Sequence, residues 1–114
     1  MTREDAEIIL AQAGTAEDEG FPLLECALAC AIHDYPFRDP EPVRLMADHA
    51  AQRLKERAAN ESPDDALTET MAADFRLNGD LLNYEHPGNT DVIDVAERRR
   101  GLSAALVVFY LDAA

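Results

Sequence analysis

The chain of 114 residues has no tryptophan, only two cysteines and few basic side chains. Ten Lys and Arg stand against 23 Asp and Glu, for a formal net charge of −13. Each shortage excludes something. So acidic a chain repels phosphate backbones and anionic bilayers, which argues against nucleic acid and membranes as partners. No apolar run approaches the roughly 20 residues that span a bilayer. Residues 1–14 carry acids and no apolar signal core, so the expected location is the cytoplasm. Cys26 and Cys30 lie at i and i+4 and would share one face of a helix, where they read as small, buried, reduced residues. No second Cys pair or spaced His pair completes a four-ligand site, and neither a metal nor any other cofactor is implied.

What is present suits a single domain over 1–114, 47% hydrophobic and 29% charged. A chain of this length buries about two-thirds of its unfolded surface without needing a disulfide. Abundant alanine favours helices, and the pattern predicts an all-α bundle of five or six. Residues 3–13 place Ala6, Ile9, Leu10 and Ala13 on one face, and Gly14 ends that helix before an acidic loop, Thr15 to Gly20. From Leu23 to Ile32 the chain is apolar all round except for Glu25, the mark of a helix buried on all sides. Three prolines make 36–42 a rigid connector. Val43, Met46, Ala47, Ala50, Ala51, Leu54 and Ala58 then form the stripe of an amphipathic helix over 42–59. Ser62-Pro63-Asp64-Asp65 starts a helix over 63–77, with Leu67, Thr70, Met71 and Phe75 facing inward and Asn78-Gly79 as a left-handed stop. Leu106 to Tyr110 could pass for a strand, but Ser103-Ala104-Ala105 leads into it as a cap and first turn. The apolar helices at 22–34 and 103–113 are expected to form the core, with 42–59 and 63–77 covering them.

The turn-rich stretch from Asp74 onward carries a resemblance. Asp74-Phe75-Arg76-Leu77-Asn78-Gly79, Tyr84, His86-Pro87-Gly88-Asn89 and Glu97-Arg98-Arg99-Arg100-Gly101-Leu102-Ser103-Ala104-Ala105-Leu106 together resemble the SirB-type family of bacterial transglutaminase-like proteins. The resemblance is strongest over 74–111 and most specific from Tyr84 to Gly101. It implies that the segment after Gly101 is the central helix of a transglutaminase-like fold. In such enzymes a Gly-x-Cys turn opens that helix, whose dipole favours the thiolate; a downstream His accepts the proton and an Asp orients the His. Here Gly101-Leu102-Ser103 puts serine at that position, where the family's form has proline after Gly-Leu. The chain continues eleven residues past Ser103, so the strands that carry the superfamily's His and Asp are expected to be lacking.

The expectation is therefore a non-catalytic interaction or regulatory module, with Ser103 as a helix N-cap. A hydrolase using Ser103, with His86 or a partner chain as base, is the alternative. A structural half of a split protein is another. Arg98, Arg99 and Arg100 read as charges complementing a helix C-terminus and nearby acids, or as an anchor for a carboxylate or phosphate. Asn89 is expected to cap a helix starting near Thr90, and Tyr84 to pack its ring inward with its hydroxyl paired. Asp91, Asp94 and Glu97 read as solvated acids. Leu102, Leu106, Val107, Val108, Phe109, Tyr110 and Leu111 are apolar on more than one face, so part of the C-terminal helix is expected to meet a protein partner or a second copy in a homodimer.

Overall fold

A computed structural model describes residues 1–80 and 85–114, and these form six α-helices. Helix α1 (Arg3–Ala13) starts in a reciprocal capping box. Asp5 N–H donates to Thr2 Oγ1 at 3.1 Å, and Thr2 N–H donates back to Asp5 Oδ2 at 3.0 Å. Its one fully buried side chain, Ala6, packs with partly buried Ile9 and Leu10 against the core beside α2 (Leu23–Asp34). Helix α3 (Glu41–Ala58) buries Val43, Met46, Ala47 and Ala50, the N-terminal part of its predicted stripe. Helix α4 (Pro63–Thr68) is capped by Ser62, whose Oγ accepts from Asp65 N–H at 3.3 Å. The chain then widens into a π-helical turn, Glu69–Asp74, before α5 (Val92–Arg98) and α6 (Ser103–Ala113).

The architecture is all-α, with one two-residue parallel pairing of β1 (Asn78–Gly79) and β2 (Arg100–Gly101). That pairing corrects the expected stop at Asn78-Gly79. Phe75 N–H reaches Thr70 O at 3.0 Å and Leu77 N–H reaches Met71 O at 2.9 Å, and the chain reverses at Arg76, φ +56°. Asn78-Gly79 is drawn out extended because its backbone bonds to the segment before α6.

The core differs in composition from the expectation. Helices α2 and α6 both contribute, but α6 fully buries only Ala105 and Phe109, whereas the short α5 buries Val92, Ile93 and Val95. Neither apolar helix is enclosed. Along α2, Leu23, Ala27, Cys30 and Asp34 fall on one outward stripe, so Cys26 is buried but Cys30 is exposed, contrary to the reading of two buried thiols. Along α6, Ser103, Val107 and Leu111 turn outward, with Val107 47% and Leu111 59% exposed. No helix among the described residues is long and apolar enough to cross a membrane.

Candidate functional site

The segment entering α6 is held on two sides. Asn78 N–H donates to Arg99 O at 3.2 Å and Asp80 N–H to Gly101 O at 3.3 Å, while Leu102 N–H donates to Asn89 O at 3.0 Å. Gly101 is buried between these strands of backbone. A Cβ there would lie 2.7 Å from Val95 Cγ2 and 3.2 Å from Asn89 O, so only glycine fits without displacing α5. The chain leaves this vice extended and turns helical at once. Leu102 O accepts from Ala105 and Leu106 N–H, which makes Leu102 the N-cap, without a side-chain bond. Ser103, expected as the cap, is instead the first helical residue, and it is exposed.

His86 begins a short 3₁₀ turn, Pro87–Thr90, and its Nδ1 accepts from Gly88 N–H at 2.9 Å. An imidazole whose Nδ1 accepts carries its proton on Nε2 when neutral. The other ring nitrogen, Nε2, is then a donor, not the bare acceptor a serine base requires. Among the described residues no hydrogen bond joins His86 to Ser103. Gly88 is buried, and a Cβ there would come within 2.5 Å of Asp94 Oδ2, which explains a glycine two residues after the histidine.

Asn89 does not cap α5. It is 0% exposed, and its Oδ1 accepts from Arg98 Nη2 at 2.8 Å. Arg98 Nη1 meets Asp80 Oδ2 at 3.2 Å, so one guanidinium ties the end of α5 to the turn before it and to the residue after β1. The cap of α5 is Asp91, two residues later than expected, whose Oδ1 accepts from Ile93 N–H at 3.0 Å and Asp94 N–H at 3.2 Å. Asp91 is only 9% exposed, which corrects its reading as a solvated acid. Its burial is matched by Arg38, which grips it with two bonds, Nη1–Oδ1 at 3.1 Å and Nη2–Oδ2 at 2.7 Å. Arg38 also donates to the carbonyls of Ala31 and Tyr35 and stacks over the Tyr35 ring at 5.3 Å. The Asp91 carboxylate holds the Arg38 guanidinium above its usual range, more than burial lowers it.

The three arginines do not converge. Arg98 turns inward as described. Arg99 sits left-handed at φ +59° and donates to Phe75 O at 2.8 Å. Arg100 is exposed and leans on the carbonyls of Arg76 and Arg99. Tyr84 lies outside the described residues. Among the described residues no three His, Cys, Asp or Glu side chains gather as a metal site. What sequence reasoning missed is the Arg38–Asp91 pair: its members are 53 positions apart, and only the helix-start character of Asp91, ahead of Val92-Ile93, offered a signal.

A second feature lies at the other end of α6. An open groove of about 680 Å³ runs between the start of α2, α3 and the end of α6, with Phe21, Leu23 and Leu111 among its apolar side chains and Asp18, Glu25, Asp48 and Asp112 as its acids. The one basic residue lining it, Arg44, is bound by Glu25 through Nε–Oε1 at 2.8 Å and Nη2–Oε2 at 2.7 Å, and by Glu41.

Compared with known proteins, residues 41–114, from α3 to the end of α6, match the family model described as Transglutaminase-like superfamily. No curated protein and no solved structure matches.

Proposed function

Because the chain belongs to the transglutaminase-like superfamily, we propose that it is a non-catalytic member that acts by binding a protein partner, as an interaction or regulatory module. Within the superfamily we place it with the bacterial SirB-type proteins, on Glu97 to Gly101 and on the His86–Asn89 turn, and we assign it to the cytoplasm. The observation that carries the non-catalytic reading is the state of His86, the residue expected as base for Ser103. His86 Nδ1 is occupied by Gly88 N–H, so its neutral ring would present a proton rather than a lone pair to an approaching hydroxyl. Serine, unlike cysteine, depends on a positioned base. The observation that favours binding is the outward face of α6, where Val107 and Leu111 remain exposed one turn apart.

Affinity capture from extracts of the source cell tests this reading. The wild-type chain and Ser103→Ala should retain the same partner, and the double variant Val107→Asp/Leu111→Asp should lose it while keeping its helical circular dichroism. Phe109→Asp, by contrast, should unfold the chain, because Phe109 is 1% exposed. Capture that ignores the double variant, or that needs the Ser103 hydroxyl, would overturn the proposal.

A further inference from the structure

Resting on the reading of the chain as a binding module, we propose that the groove between α2, α3 and α6 is a docking site for a cationic amphipathic segment of another protein. An apolar side chain of that segment packs on Phe21, Leu23 and Leu111, and its Lys or Arg side chains meet Asp48 and Asp112.

The occupant follows from charge. Four carboxylates and one guanidinium line the groove, and the guanidinium is already spent on Glu25 and Glu41. That leaves Asp18, Asp48 and Asp112 without a cation of the groove's own, beside the apolar side chains of Phe21, Leu23 and Leu111. The carboxyl of Asp112 is pushed up by burial, and then by the neighbouring charges of Asp48 and Glu25. A cation seated there relieves the same repulsion. An anionic partner meets the opposite field. A second copy of the chain brings a net charge of −13 to an acidic rim, which opposes self-association. The groove is of ligand-site volume, within the range of about 300–1,000 Å³, but it is open, and its exposed Leu111 and Phe21 suit a side chain arriving on a longer segment rather than an enclosed small molecule.

Fluorescence anisotropy with a labelled amphipathic peptide of leucine and arginine, and a leucine–glutamate peptide of the same pattern, tests the assignment. The arginine peptide should bind and the glutamate peptide should not, with affinity falling as KCl is raised. Asp48→Asn/Asp112→Asn and, separately, Leu111→Ser should each weaken binding on the order of tenfold. Glu4→Gln/Asp64→Asn, which removes equal charge elsewhere, should change it little. Equal weakening by both charge pairs would show a diffuse attraction to an acidic chain and overturn the assignment. So would indifference to Leu111→Ser, or a Leu111-dependent dimer in sedimentation. A cellular partner that is lost with Val107→Asp/Leu111→Asp but indifferent to Asp48→Asn/Asp112→Asn would sink this proposal and leave the module standing. A chain that captures no partner through α6 would sink the module itself.

Discussion

At the scale of single residues, Asp91 carries two tasks that are separable by substitution. One oxygen caps α5 and both oxygens hold Arg38. Asparagine retains the capping oxygen but not the charge, so Asp91→Asn should destabilise the fold by about 1–2 kcal/mol, and Asp91→Ala, which leaves Arg38 and the helix end both unpaired, by about 2–4 kcal/mol. Urea denaturation of the two variants measures the difference, and equal losses would mean that the capping oxygen contributes nothing beyond the ion pair. The same pair shows what the sequence could not convey. Asp91 stands in front of Val92-Ile93, as a capping residue does, yet Asn89 offers an equally good capping side chain two positions earlier. Only tertiary structure decides between them: Asn89 is pulled inward by Arg98, and Asp91 is met by Arg38 from the connector after α2.

At the scale of elements, legibility followed periodicity. The helices over 3–13, 23–34 and 41–58 are long enough for a buried stripe and end signals to agree. The stretch after Ser62 is short and irregular, and its π-helical turn and the left-handed Arg76 arise from backbone bonds that no residue type announces. Gly101 was legible as part of a motif, but the reason for it, a Val95 methyl 2.7 Å from where its Cβ would be, is a packing fact. The union of α2 with α3 has a pH signature. Arg44 holds the Glu25 carboxyl below its ordinary 4.5. A depressed carboxylate contributes stability that is present above the unfolded value and lost as pH falls through the folded one. Asp112 runs the other way: raised above 3.8, its charge opposes the fold at neutral pH, and that opposition is relieved as its carboxyl protonates. Glu25→Gln should therefore lower stability at pH 7 by about 0.5 kcal/mol, because the pair is partly screened by solvent, and flatten the loss seen below pH about 4.5. Denaturation midpoints between neutral and acid pH check this, and an unchanged acid slope would contradict it.

At the scale of the whole molecule, two features set the behaviour: an acid excess that discourages self-contact, and a C-terminal helix that is anchored by one face and open on the other. Ala105 and Phe109 fix α6 in the core, while Val107 and Leu111 are left to solvent. The same helix begins at the position where a transglutaminase-like enzyme would carry its nucleophile; the serine there is exposed, and the Nδ1 of His86 is already engaged by Gly88 N–H. Ser103 is thus a first-turn helix residue, and the proposed binding role requires that it not act as a nucleophile. The most direct test is incubation of the purified chain with a serine-reactive fluorophosphonate, read by intact mass and peptide mapping. No adduct is expected at Ser103, in the wild-type chain or with His86→Ala; labelling at Ser103 that disappears in Ser103→Ala and falls in His86→Ala would show a working nucleophile and overturn the binding-module reading.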